Sequence, residues 1–137
     1  MKKKNSQNTI SYVVEDEGIA VDIILPRFGQ QPIPVIYLES FEYNKQMKDA
    51  IDFITSHQIE LYNIINNEMT TYISQVYNQD GNKALSQISL TKIYILLDEK
   101  DEYGLMFAWS GDSEHGIGIK MKNMSIVKIG VAEIAFL

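Results

Sequence analysis

Residues 44–78 carry one apolar stripe at helical spacing, and the stripe is too long for a single straight helix in a chain of 137 residues. Met47, Ile51, Ile54, Leu61, Ile65, Tyr72 and Val76 fall on one face, with Gln58 as its only polar interruption. About 35 residues of unbroken helix would run ~52 Å at 1.5 Å per residue. A globule of this size has a radius of gyration of ~14 Å. A break is therefore expected at Thr55-Ser56-His57-Gln58, a locally polar stretch with Thr-x-x-Gln capping-box spacing. Two helices meeting near Ser56 are expected, with one kinked helix as the alternative.

Strand patterns flank this helical centre on both sides. Before it, residues 9–14 and 19–25 are β-branched and apolar, separated by the turn-forming Glu15-Asp16-Glu17-Gly18. Pro34 at the entry to residues 35–38 predicts an edge strand, or one that begins after the proline. After the helical centre, Asp80-Gly81-Asn82 ends the pattern, and residues 88–97, 103–110, 116–121, 125–129 and 132–136 are the strand candidates. This order predicts an α+β fold. Short turns between strands imply a mainly antiparallel sheet, with two central helices (or one kinked helix) packed on one face. The absence of strand–helix alternation argues against a doubly wound nucleotide-binding fold. Whether the N-terminal and C-terminal strands share one sheet is left open by the pattern.

The length fits a single domain, residues 1–137, with residues 1–7 expected as a flexible tail. A core of this size needs no metal or disulfide staple, and the chain has no cysteine for thiolate zinc sites or cysteine nucleophiles. Net charge is −6, spread evenly. Residues 1–43 hold four basic and six acidic groups, residues 44–78 two and four, and residues 79–137 six and eight. No segment offers the basic stripe that phosphate contacts require, so no nucleic-acid partner is expected. Lys2, Lys3 and Lys4 are followed by polar residues rather than an apolar run, and no apolar run approaches the ~20 residues that span a bilayer. A cytoplasmic protein without a membrane partner is expected.

Residues 109–118, Trp-Ser-Gly-Asp-Ser-Glu-His-Gly-Ile-Gly, concentrate the chemistry of the chain. They hold its only tryptophan, one of its two histidines, two carboxylates and three glycines. One reading is structural. If Ser110 pairs with His115, Trp109 lies opposite Gly116 and Phe107 opposite Gly118, so that two large rings cover two strand glycines. The other reading takes Asp112, Glu114 and His115 as a functional loop, with the histidine as general base or the three as ligands for a hard or borderline metal. Neighbouring side chains on a strand or turn point apart, which disfavours convergence of Glu114 and His115 on one ion. Neither Ser110 nor Ser113 has a nucleophile-elbow context, and Gly116-Ile117-Gly118 lacks the helix and third glycine of a dinucleotide fingerprint. No catalytic residue, metal ligand or cofactor is assigned. His57 is as readily a capping-turn residue.

The second half of the helical region is unusual in a different way. Between Leu61 and Gln79, Glu68 is the only charged residue. The polar positions are Asn63, Asn66, Asn67, Thr70, Thr71, Ser74, Gln75 and Asn78. Exposed helix faces ordinarily carry many charges. Compositional bias is one explanation; a face suited to a protein partner, with Asn63, Asn67, Thr70 and Ser74 in the contact, is the other.

The 109–118 segment, followed by Ile126-Val127-Lys128-Ile129-Gly130, resembles a group of small bacterial domains of unknown function. Their members carry Trp-Asp-x-Glu-His-Gly-x-Gly near the C-terminus. They also carry a helical stretch that begins with Gln and Ala, similar to Gln46 and Ala50, and runs to a Tyr such as Tyr77. The resemblance covers residues 44–137. Ser110-Gly111 stands where the Asp after tryptophan is usual, so a function carried by that Asp is either missing here or supplied by Asp112. Such domains resemble immunity proteins, which implies a non-enzymatic protein-binding module with a toxin-like partner. A small metal-dependent enzyme or metal-binding protein using residues 112–115 is the alternative.

Overall fold

The computed structural model describes residues 3–7, 10–96 and 101–137, with side chains described from Tyr12 onward. Thr9 and Leu97, expected at strand ends, lie outside the described residues. Among those described, eight strands form one sheet whose spatial order is the order of the sequence. They are β1 (Lys3–Gln7), β2 (Ile10–Glu15), β3 (Gly18–Ile23), β4 (Ile33–Leu38), β5 (Ile88–Ile95), β6 (Glu102–Trp109), β7 (Ile117–Lys122) and β8 (Ser125–Gly130). Six of the seven neighbouring pairs are antiparallel, and β4 and β5 run parallel. That parallel pair joins the N-terminal and C-terminal strands into one sheet. A parallel pair needs a long crossover, and here it contains α1 (Lys45–Ser56), α2 (Gln58–Tyr77) and α3 (Gly81–Ala84). The α+β class and the mainly antiparallel sheet agree with the sequence reading, in a sheet larger than a two-helix cover suggests.

The helical break falls where polarity placed it, by a different mechanism. Only His57 separates α1 from α2, and main-chain bonding continues across it, His57 N–H to Phe53 O and Leu61 N–H to His57 O. No capping box forms. The His57 ring stacks on Phe53 at 4.3 Å, and its Nδ1 lies 2.8 Å from the Phe53 carbonyl. Asn44 caps α1 by accepting from the Met47 N–H. Asn78 ends α2 in the left-handed region at φ 53°, a conformation asparagine tolerates better than most residues.

The buried line of the helices is Met47, Ile54, Leu61, Ile65, Met69 and Ile73. It meets Ile19, Val21, Val35, Tyr37, Ile93, Leu105, Phe107, Ile117 and Ile119 from one sheet face. Val76, expected on this line, is 62% exposed. The buried positions of α2 advance by four residues at a time, so Tyr77 takes the inward place at the helix end. A smaller cluster of Ala20, Ile36, Tyr94, Leu96 and Ala135 forms on the opposite sheet face.

Three further expectations are corrected. Residues 3–7, read as part of a tail, form β1 and pair with β2. Their polar sequence gives no alternating pattern, yet an edge strand is held by its backbone and is commonly marked by lysine. β4 is central rather than an edge strand and includes Pro34, but its pairing with β5 starts only at Val35, beyond the proline. Residues 132–136, read as a strand, instead contain a short 3-10 turn, Ala132–Ala135, laid across β6 and β7.

Candidate functional site

The register of β6 and β7 decides what the 109–118 segment does. Met106 lies opposite Gly118 and Phe107 opposite Ile117, one residue away from the pairing expected from the sequence. A one-residue slip moves every side chain to the other sheet face. Phe107 and Trp109 therefore belong to the helix-side core, at 3% and 1% exposure, and do not cover the glycines. What covers Gly118 is main chain: a Cβ there would sit 2.6 Å from the carbonyl oxygens of both Val131 and Ala132. Gly104, two residues along β6 from Met106, lies in the same way under the Ala135 carbonyl. Gly116 has a separate reason to be glycine, since it turns the chain at φ 61° and a Cβ there would come 2.8 Å from the Phe107 carbonyl oxygen.

Between the strands, Ser110–Asp112 make a 3-10 turn, and the Gly116 N–H donates to the Asp112 carbonyl at 2.9 Å. Gly111 lies flat on the Trp109 indole, where a Cβ would be 2.5 Å from Cε2. The Tyr77 ring meets the same indole edge-on, with centroids 4.8 Å apart and planes at 88°. These contacts bury the Trp109 Nε1–H without a hydrogen-bond acceptor among the described residues.

Asp112 is the hub. Its Oδ2 accepts from the Tyr77 hydroxyl at 2.7 Å, and Oδ1 lies 3.0 Å from His115 Nδ1 and accepts from the His115 main-chain N–H at 3.3 Å. The Asp112 side chain is 16% exposed and that of His115 55%. The Tyr77 hydrogen bond is the largest influence on the Asp112 carboxyl; burial opposes it, and with the contacts from His115 added the carboxyl is held below its usual range. The carboxylate in turn raises the His115 imidazole, first by hydrogen bonding and then by charge, with Glu114 and Glu133 adding to it. Burial, then the bond to Asp112, pushes the Tyr77 phenol well above the ordinary tyrosine range, so it stays a donor at neutral pH.

The sequence-predicted loop residues therefore divide. Asp112 and His115 come together. Glu114 is exposed and acts on His115 only through its charge. Among the described residues no three His, Asp or Glu side chains are grouped to hold a metal ion. Of the α2 residues, Asn63, Asn67 and Ser74 are exposed, whereas Thr70 is half-buried. The Thr70 hydroxyl donates to the Asn66 carbonyl at 2.8 Å, and its main chain packs on Gly81 of α3. Thr71 takes the exposed place on that line. Sequence reasoning missed Tyr77 as part of the site; its sequence signals are its place near the end of the helical pattern and its match to the Tyr that closes the helical stretch of the resemblance.

An α+β domain with eight strands among the described residues and a Tyr–Asp–His cluster between a helix end and the β6–β7 turn is thus the class that fold and site define. The chain belongs to the family described as "Domain of unknown function (DUF6985)", which it matches over residues 6–137. The match extends beyond the resemblance seen in residues 44–137 and takes in all but the start of the N-terminal strands. No curated protein and no solved structure matches the chain. Among the described residues no helix is long and apolar enough to cross a membrane.

Proposed function

We propose that this chain is a non-catalytic module that binds another protein, of the immunity type implied by the resemblance, and that the outer face of α2 is its recognition surface. The observation that carries this reading is the exposed line Asn63, Asn67, Thr71 and Ser74, which is uncharged on a helix open to solvent. Depletion of charge is the compositional mark of an interface core. The Tyr77–Asp112 bond anchors the 110–115 turn to the C-terminal end of that helix. A net charge of −6 favours encounter with a basic partner, consistent with a toxin-like protein. The test is affinity capture of the tagged chain from its native lysate, beside an Asn67→Arg variant with unchanged melting behaviour. One stoichiometric partner, lost with Asn67→Arg, supports the reading. Absence of any specific partner from a folded bait, or capture indifferent to the substitution, counts against it.

A second reading rests on the Asp112–His115 pair. With Nδ1 held by the carboxylate, Nε2 of the exposed imidazole is free to act as a general base or to contribute to a metal site on residues 112–115. It requires that His115→Ala abolish an activity while leaving the fold intact. If that substitution lowers stability alone, the pair is structural.

A further inference from the structure

Arg27 is the only arginine in the chain, and it sits on a turn tied to the start of α2. The Leu25 side chain beneath the turn is fully buried, and its carbonyl accepts from the Phe28 N–H at 2.8 Å and the Gly29 N–H at 3.1 Å. The Arg27 main-chain N–H donates to Gln58 Oε1 at 3.0 Å, and the Phe28 ring meets the Tyr62 ring edge-on with centroids 5.2 Å apart. On this footing the Arg27 guanidinium lies over the same Tyr62 ring, 4.6 Å from its centroid. A guanidinium held over a ring face is positioned without using its N–H donors. Among the described residues those donors have no hydrogen-bond acceptor and no carboxylate in ion-pair range. The residue is exposed, and residues 24–32 around it contain no acidic group. Beside Tyr62 on α2, Ile59 is 61% exposed and stands one helical turn before Asn63, where the uncharged outer line begins.

We propose that Arg27, held on Tyr62 and flanked by Ile59, anchors the recognition face of α2 by taking an Asp or Glu carboxylate of the protein partner on its N–H fork. The inference rests on the reading of the outer face of α2 as that surface. A planar fork of donors matches a carboxylate bidentately, which a lysine ammonium cannot do. Arginine and tyrosine are also the residue types that dominate the energetics of protein interfaces. Because the turn and the ring already fix the guanidinium in the free chain, little ordering entropy opposes the contact. The exposed Ile59 side chain gives the partner an apolar seat next to the ion pair. The field of a chain with net charge −6 and this local contact act at different stages. The field speeds encounter with a basic partner, and the Arg27 pair then sets the register of docking.

The test titrates the intact chain by calorimetry against the partner captured with it. Arg27→Gln is expected to weaken binding about tenfold or more at unchanged melting temperature. Lys122→Gln removes the same charge from an exposed position on the sheet face away from the helices, and binding is expected to stay unchanged. Arg27→Lys reads the chemistry of the contact. Carbodiimide treatment of that complex is expected to join the introduced amine to one Asp or Glu of the partner, located by mass spectrometry. Binding by Arg27→Gln equal to the wild type overturns the proposal, and so does an Arg27→Lys complex that forms without this crosslink. Equal weakening by Lys122→Gln overturns it as well, because net charge rather than the fork then governs binding. The underlying reading fails in a different way. A wild-type chain with no specific partner, or a partner indifferent to Asn67→Arg, removes the recognition face and the anchor together. A partner lost with Asn67→Arg and kept by Arg27→Gln removes the anchor alone.

Discussion

The hydroxyl of Tyr77 donates to the Asp112 carboxylate at 2.7 Å across 35 residues of sequence. This one bond ties the last turn of α2 to the β6–β7 turn, and it extends to lower pH the range in which Asp112 is the carboxylate that His115 contacts. Substituting Tyr77 by Phe keeps the ring against Trp109 and removes only the donor. The hydroxyl is the largest influence depressing the Asp112 carboxyl. Its loss is therefore expected to move the Asp112 titration up toward the ordinary aspartate value of ~3.9. Carboxyl-carbon NMR titration of both proteins checks this; an unmoved midpoint shows that the hydroxyl does not engage Asp112 in solution.

The Asp112–His115 pair makes a contribution to stability with two pH limits. His115 is raised in the folded state, so its share is fully present below the unfolded histidine value of ~6.5 and is lost as pH rises through the folded value. Asp112 is lowered, so its share is present above the unfolded value of ~3.9 and is lost as pH falls through the folded one. The difference in unfolding free energy between the wild-type chain and His115→Gln should therefore be greatest between those limits and shrink on the alkaline side. Urea titrations from pH 4.5 to pH 9 read the curve. A difference that is flat with pH shows that the histidine gains nothing from its carboxylate.

Gly104 and Gly118 are required by packing rather than by backbone conformation, since neither has positive φ. Gly104→Ala places a methyl group into the Ala135 carbonyl, and overpacking of this kind costs about 1–3 kcal/mol. The loss is expected in urea unfolding. A Gly104→Ala chain as stable as the wild type would place the clash elsewhere.

Periodicity made α1, α2 and their break legible, because burial against a sheet demands an apolar stripe and the polar residues 55–58 interrupt it. Apolar runs, β-branched in β2 and β3, marked β2 to β8. β1 carried no such signal, since its side chains are polar and pairing is a property of the backbone. The run 132–136 was misread because a short apolar segment looks alike as strand or as a buried turn. The β6–β7 register could not be fixed from composition. The 3-10 turn at Ser110–Asp112 and the left-handed Gly116 divide the connection unevenly, and one residue is enough to send Gly118 to the face opposite Phe107. Tyr77 escaped notice as a site residue because its contact with Asp112 is tertiary, made only once α2 lies along the sheet.

The outer face of α2 gives the last prediction, and it separates recognition from stability. Asn63, Asn67 and Ser74 are exposed, so a charge there is expected to change unfolding free energy by no more than about 0.5 kcal/mol. At an interface core the same charge must be desolvated without a partner. Asn67→Arg and Ser74→Arg should therefore each weaken capture of the protein partner proposed for this face by about tenfold or more. Thr70→Arg should behave in the opposite way. That side chain is half-buried and bonded to the Asn66 carbonyl, beside the contact with Gly81, so the substitution should lower the melting temperature before it touches binding. Thermal melts and titration calorimetry on the three variants give the pattern. If Thr70→Arg weakens binding at unchanged stability while Asn67→Arg does not, the recognition surface lies on the α3 side of the helix rather than along its outer line.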